Sequence, residues 1–173
     1  MSSTESVQQA TAAHERATIT TEGSEMVITR TFPAPADLVF EAMTNPEHIR
    51  KWWGAGHGTM TVCEVDLREG GAWHFAQTAG SSGDEVSFSG HYTTIDRPGH
   101  LVHTERFDNI DSPYSLIDTT YTEEAGKTTL RATITYDSPE TVQMVLDSGM
   151  ESGMQSSYDA IDDVVLALAG EAA

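Results

Sequence analysis

The sequence has little cysteine and little positive charge. A single cysteine, Cys63, among 173 residues excludes an internal disulfide and is typical of a reducing cytoplasm. Only 9 lysines and arginines stand against 27 acidic residues, which gives a formal net charge of −18. The cysteine usage leads us to expect a cytoplasmic protein. Because the electrostatic field of this net charge repels phosphate backbones and anionic lipids, we expect that the protein binds neither nucleic acid nor membranes.

Long apolar runs and export signals are also missing. No run approaches the roughly 20 apolar residues that cross a bilayer, and the N-terminus lacks the charged-then-apolar pattern of a signal peptide. The phosphate-loop, dinucleotide-binding and nucleophile-elbow patterns are absent as well. The length suits one domain. Residues 1–15, which are polar and without period, predict a disordered tail, and residues 16–173 predict the folded domain.

The strongest pattern is an apolar stripe near the C-terminus. Apolar residues recur at steps of three or four from Val142 to Leu168, as they do on one face of an α-helix. Ser138 can cap such a helix, and Pro139 suits its first position. The sequence therefore predicts one long helix from Pro139 to Ala169.

Two glycines, Gly149 and Gly153, lie within this predicted helix, and each is followed by a methionine. A glycine costs roughly 1 kcal/mol relative to alanine inside a helix. One interpretation of the glycines is close packing of the helix on a sheet, or a kink in the helix, and the spacing alone favours packing. The alternative is that the missing side chains leave room for a ligand, with the flexible Met150 and Met154 beside it.

Strands and two short helices precede the long helix. Residues 16–21 are a candidate for a short strand, and residues 22–25 are a candidate for a turn. Residues 26–32 alternate as a strand, and short helices are predicted over residues 36–43 and from Pro46 to the stop at Gly54. Six further strands joined by short turns follow, which is typical of an antiparallel meander. We therefore predict an α+β fold with a curved seven-stranded antiparallel sheet around the C-terminal helix. The concave space between them is the expected place for a ligand.

Several motifs occur in order between Glu25 and Leu168. They are Thr31–Pro35, Thr44–His48 running into Trp52-Trp53-Gly54, Thr61–Trp73, Phe88–Gly90, Arg97-Pro98 before Leu101-Val102, and Ser148–Gly153. Together they resemble the family of homologues of the activator of heat-shock protein ninety ATPase. That family lies in the START-like, birch-pollen-allergen-like superfamily. The resemblance implies the helix-grip fold, in which a seven-stranded sheet grips a helix.

The resemblance also implies classes of function. Members of the superfamily bind lipids, polyketides, hormones and other apolar molecules, which favours an intracellular module that binds a small hydrophobic molecule without turnover and without a cofactor. One alternative is an enzyme similar to polyketide cyclases and aromatases that uses the same cavity. A weaker alternative is an interaction module that activates a chaperone ATPase. These domains often pair, so a homodimer stands as an alternative to a monomer.

Alternation along the strands and the helix predicts which residues line the cavity. Trp52 or Trp53 is expected to close one end, and Glu64 stays open because its strand face is not settled by the pattern. His103 and Glu105 share a strand face that points either inward or outward. The predicted ligand-binding residues are Trp52, Trp53, Glu64, Trp73, Phe75, Tyr92, His103, Ile117, Thr119, Tyr121, Met150, Gly153 and Met154.

No catalytic or metal-ligating residue is assigned from the sequence. The seven histidines form no HxxxH or HxH pair, so we expect no metal site. Cys63 is expected to be a small buried hydrophobe rather than a nucleophile, because its strand position opposes the carboxylate of Glu64.

Overall fold

The computed structural model describes residues 15–80 and 82–172, so the predicted N-terminal tail, apart from Glu15, lies outside the described residues. Within this range the chain forms eight strands and four helices. The strands are β1 Thr18–Glu22, β2 Glu25–Phe32, β3 Gly58–Val65, β4 Ala72–Ala79, β5 Glu85–Asp96, β6 His100–Phe107, β7 Ser115–Glu124 and β8 Lys127–Thr135. The helices are α1 Ala36–Thr44, α2 Pro46–Trp52, α3 Pro139–Asp147 and α4 Met150–Ala172.

All the strands belong to one antiparallel sheet with the order β1-β2-β8-β7-β6-β5-β4-β3. The predicted meander corresponds to β3 through β8, and the predicted α+β architecture is confirmed. The described sheet has eight strands instead of the predicted seven. The additional strand is β1, which pairs with β2 through a hairpin at Gly23, where φ is +58°.

The two short helices form as predicted. The side chain of Asn45 accepts a hydrogen bond from the Glu47 N–H at 3.0 Å and so caps α2, whose first residue is Pro46. The Trp52 indole N–H donates to the Ala42 carbonyl of α1 at 2.8 Å, which fixes the two helices against each other.

The prediction of one continuous C-terminal helix is wrong. The helix ends at Asp147 and a second helix begins at Met150, because Gly149 adopts φ +81°. The Ser148 N–H still donates to the Met144 carbonyl at 3.1 Å, and Gly149 donates to Leu146 at 3.3 Å, so the break closes α3 in the manner of a C-terminal cap. The apolar stripe passes through the break, which is why periodicity did not reveal it.

A buried ion pair joins the sheet to α4. Arg30 on β2 is 1% exposed and forms two hydrogen bonds with Asp162, from Nη1 to Oδ1 at 2.7 Å and from Nη2 to Oδ2 at 2.8 Å. Near the start of the same helix, the Gln155 amide bonds to both the N–H and the carbonyl of Ala17 at 3.0 Å. These contacts hold α4 on the β1–β2 edge of the sheet.

Helix α4 consequently covers the sheet unevenly. It lies close to α1, α2, α3 and β2, where Ile161 and Val165 are fully buried. Among the described residues, strands β4 to β6 have few close backbone contacts with this helix. Met150, Met154 and Tyr158 on its first half are only half-buried. Part of the concave face of the sheet is therefore incompletely covered.

None of the described helices is long and apolar enough to cross a membrane.

Candidate functional site

The incompletely covered part of the concave face carries aromatic and polar side chains from four strands, from α4 and from the segments that follow α2 and β8. We call this set the inner site. It comprises Trp53, Trp73, Phe75, Phe88, Tyr92, His103, Glu105, Phe107, Tyr121, Tyr136, Met150, Met154 and Tyr158.

One end of the inner site is an aromatic wall. Phe75, Phe88 and Phe107 lie side by side in the register of β4, β5 and β6, and the rings of Phe88 and Phe107 are 5.1 Å apart. Trp53 packs edge-on against Phe75 at 5.7 Å and against Phe88 at 5.8 Å. Of the two tryptophans expected at this end, Trp53 is therefore the one that packs on the aromatic wall. Trp52 instead lies in the core between α1 and α2.

Trp73 forms the floor next to this wall. It is 3% exposed, and its ring lies 4.8 Å from Phe75 and 5.7 Å from His103. Its indole N–H donates to the Thr104 carbonyl at 3.1 Å, across the intervening residue Gly90. A side chain at Gly90 would collide with both the indole nitrogen and that carbonyl. The glycine is therefore needed for the indole to cross β5.

The other end of the inner site is polar, because His103 and Glu105 point inward. They alternate with outward residues and share their face with the buried Leu101. Burial raises the pKa of the Glu105 carboxyl to about 7 and lowers the pKa of the His103 imidazole to about 4. At neutral pH the histidine is neutral, and the pKa of the Glu105 carboxyl lies close to neutral pH. The face of this strand, which the sequence left open, is thus assigned.

Tyrosine hydroxyls surround this polar end. Burial, together with the charge of Glu105, raises the pKa of Tyr136 and of Tyr158 to about 12. Tyr121 is 5% exposed, and its hydroxyl has no hydrogen-bond partner among the described residues. The Nδ1 atom of His103 is likewise buried without such a partner. Buried polar atoms are normally paired, so a bound molecule with polar groups could satisfy these atoms.

The structure brings most of the predicted site residues together. Ile117 and Thr119 are buried on the inner face of β7, and Met150 and Met154 pack against the core from α4. A Cβ atom built on Gly153 would have no heavy atom within 4 Å, so this glycine does not serve tight packing.

Besides Trp52, which lies in the core between α1 and α2, Glu64 is a predicted residue that lies outside the inner site. It is exposed on the outer face of β3, whereas its neighbour Cys63 is 7% exposed on the inner face. Successive side chains of a strand point to opposite faces, so the burial of Cys63 places Glu64 outside the inner site.

Sequence reasoning left Glu105 open and missed four residues of the inner site, namely Phe88, Phe107, Tyr136 and Tyr158. A periodic signal was present for each of them. Tyr136 continues the alternation of β8, and Tyr158 continues the stripe of Met150 and Met154. Phe88 is an even number of residues from Tyr92 along β5 and so lies on the same face of the strand. Glu105 and Phe107 share a face with Leu101 along β6 for the same reason.

One polar cluster on the outer surface, formed by Ser87, His74 and Asp108, lacks the order of a nucleophilic triad. Ser87 Oγ lies 2.7 Å from His74 Nε2 and donates to Asp108 Oδ2 at 2.9 Å, so the serine stands between histidine and carboxylate. In a nucleophilic triad the histidine occupies that middle position. Across residues 15–80 and 82–172, no three His, Cys, Asp or Glu side chains are grouped as metal ligands.

Shallow depressions on the outer surface are weaker candidates for an apolar ligand. One lies beside α4 between Arg16 and Asp159, and another lies on the outer face of β2, β7 and β8 around Arg131. Both are open to solvent and lined mostly by polar side chains, whereas the inner site offers contiguous aromatic surface.

Comparison with known proteins identifies the family. Residues 33–165 match the family described as Activator of Hsp90 ATPase homolog 1-like protein. The chain belongs to this family. The resemblance of its ordered motifs is thereby confirmed. None of the curated proteins matches the chain.

Solved structures show how widely the fold of this family member is shared. Protein Ms6760 from Mycobacterium smegmatis is 30% identical over 86% of this chain and 96% of that one, with a TM-score of 0.77. A protein from Rhodobacter sphaeroides is 23% identical over 88% and 99%, with a TM-score of 0.81. An Hsp90 activator from Plasmodium falciparum is 22% identical over 65% and 73%, with a TM-score of 0.52. The last two likenesses concern the fold alone.

Proposed function

We propose that this family member binds a small, largely apolar molecule in the inner site, without turnover. The observation that carries the proposal is the half-buried aromatic surface of Trp53, Phe88 and Phe107 on the concave face. Contiguous apolar surface that a domain leaves uncovered commonly marks a binding site. Covering it with a ligand removes apolar area from water at about 25 cal/mol per Å².

The flexible side chains of α4 support the same proposal. Met150 and Met154 are half-buried against the core on a helix that the break at Gly149 separates from α3. Methionine adapts its shape to different apolar partners at low cost. The open space at Gly153 on the same half of the helix leaves room beside them.

A matched pair of glycine variants tests the proposal. Gly153 and Gly170 lie on the same helix, and neither has a heavy atom within 4 Å of a built Cβ. Titration with the uncharged apolar dye Nile red should show at least tenfold weaker binding for Gly153→Leu, with Gly170→Leu binding like the parent. Equal binding by the parent and both variants, or no binding by the parent, would count against the inner site.

Native mass spectrometry of the purified protein gives an independent measurement. We expect a copurified small molecule on the parent and a reduced amount on Gly153→Leu. A protein that carries no molecule and also leaves Nile red unbound would refute the proposal.

An enzyme that uses the same site is the second candidate, and one observation favours it. Glu105 combines a pKa of about 7 with a position next to the neutral imidazole of His103, which suits a general acid or base. The test is to incubate the copurified molecule with the purified protein and to follow the mass of that molecule. If the protein is a binding module, the mass of the molecule stays unchanged over hours. If the parent converts the molecule into a product and Glu105→Gln does not, the enzyme is favoured.

A further inference from the structure

Glu105 lies in a niche formed by small residues on both neighbouring strands. Ser115 pairs with it across β7. Gly90 falls opposite it on β5, in the register fixed by the pairs Ser89–Arg106 and Tyr92–His103. On the β5 side, the place that a side chain at Gly90 would take is occupied by the Trp73 indole nitrogen and the Thr104 carbonyl. The Trp73 indole, which crosses over Gly90, provides an aromatic surface at the same level.

Among residues 15–80 and 82–172, no residue forms a hydrogen bond or an ion pair with the carboxylate of Glu105. Besides its place in the strand ladder, the backbone carbonyl of Glu105 accepts a hydrogen bond from Ser115 Oγ at 3.1 Å. The ionisable groups nearest to the side chain are the phenols of Tyr136 and Tyr158, which are neutral at neutral pH. The neighbouring His103 is also neutral there.

The cationic side chains closest to the inner site are committed to other carboxylates. Arg30 is paired with Asp162 and lies 3.3 Å from Asp159. Arg106 is directed to the outer face, where its Nε donates to Asp108 at 3.2 Å. The polar end of the inner site thus offers one carboxylate and several hydroxyls, and none of its described side chains is a cation.

We propose that Glu105 anchors the ligand and that this ligand carries a basic amine on an apolar body. This inference rests on the proposed function of the inner site. An ammonium group would pair with the carboxylate in a poorly hydrated environment, where the attraction between opposite charges is strong. The faces of Trp73, Tyr136 and Tyr158 would add cation–π attraction.

The charge of the whole chain acts in the same direction. With a formal net charge of −18, the protein attracts organic cations and repels organic anions before contact. A fatty acid or another apolar carboxylate would bring a second negative charge next to Glu105. The site therefore selects against anions, although its aromatic wall would accept their apolar parts.

Three probes of nearly equal shape test the inference by isothermal titration calorimetry at pH 7.5, namely 4-phenylbutylamine, 4-phenylbutan-1-ol and 4-phenylbutanoate. We expect the parent to bind the amine at least tenfold more tightly than the alcohol and to bind the carboxylate most weakly. In Glu105→Gln, the preference for the amine over the alcohol should fall below threefold. Glu64→Gln, which removes the same charge from the exposed outer face, should keep the preference of the parent.

The outcomes separate this inference from the proposed function. If the parent binds none of the three probes and no Nile red, the inner site is not a ligand site and both fail. If the parent binds amine and alcohol equally, or the carboxylate most tightly, the amine inference fails and apolar binding stands. These comparisons within the parent decide the matter even if Glu105→Gln does not fold.

Discussion

The guanidinium of Arg30 meets the carboxylate of Asp162 through two hydrogen bonds of 2.7 and 2.8 Å, and both residues are buried. The pair joins β2 to α4 and fixes the side of the sheet on which the helix lies. The guanidinium also lies 4.8 Å above the ring of Phe32, which packs edge-on against Tyr158 of the inner site. The ion pair thus supports one wall of that site.

Removal of one partner of this pair should be costly. We expect Asp162→Ala to lower the free energy of unfolding by about 3–5 kcal/mol, because it leaves a buried arginine without its main counter-ion. Asp163→Ala, an exposed neighbour on the same helix, should change it by less than about 0.5 kcal/mol. Urea denaturation measures both variants. A loss below about 1 kcal/mol for Asp162→Ala would show that Asp159 can replace Asp162.

Much of the fold follows from patterns within single elements. Alternation fixed the strands from β2 to β8, and the cap at Asn45 with Pro46 located α2. Gly149 shows where this information ends. The apolar stripe only reports which residues face the core, whereas the helix break depends on a backbone dihedral that a glycine permits but does not require.

The inner site was predictable in its aromatic half and much less so in its polar half. Trp73 and Phe75 fit the rule that apolar strand residues point inward. His103 and Glu105 break that rule, because the polar end of the site places ionisable groups where the pattern favours apolar ones. The face of Glu64 followed only from the burial of Cys63, which tertiary packing decides.

Replacement of Gly149 and of Gly153 by alanine should change the stability of the protein in opposite directions. A Cβ on either would have no neighbour within 4 Å, but only Gly149 has a positive φ, +81°. We expect Gly149→Ala to cost about 1 kcal/mol through backbone strain. Gly153→Ala should be neutral or stabilising by up to about 1 kcal/mol, because it removes a helical glycine. Thermal unfolding of the two variants gives the comparison, and a strongly destabilised Gly153→Ala would return that residue to a packing role.

Gly90 should tolerate no side chain. Alanine there would collide with the Thr104 carbonyl and the Trp73 indole nitrogen. We expect Gly90→Ala to destabilise the protein by about 1–3 kcal/mol, the usual effect of overpacking, and to shift the Trp73 fluorescence as the indole moves. Gly99→Ala is the matched control, since its nearest atom, the Tyr121 carbonyl oxygen, is 3.9 Å away. Equal stability of the two variants would contradict the close approach at Gly90.

The two ionisable groups of the inner site should give the unliganded protein opposing pH dependences. The pKa of Glu105 rises on folding from 4.5 to about 7, so its contribution to stability is complete below pH 4.5 and is lost as the pH rises to 7. The pKa of His103 falls from 6.5 to about 4, so its contribution is complete above pH 6.5 and is lost as the pH falls to 4. Between these limits the two effects largely cancel in the parent.

Glu105→Gln removes one of the two effects and should expose the other. The free energy of unfolding of this variant, relative to the parent, should rise between pH 4.5 and pH 7 by as much as about 3 kcal/mol, and by less where solvent reaches the carboxyl. Tyr136 and Tyr158, with pKa values of about 12, do not titrate in this window. Urea denaturation at intervals of pH, with Glu64→Gln as the control, measures the difference. A difference that stays flat from pH 4.5 to 7 would mean that the Glu105 carboxyl is well solvated, and the niche beside Gly90 could not then hold a desolvated ion pair.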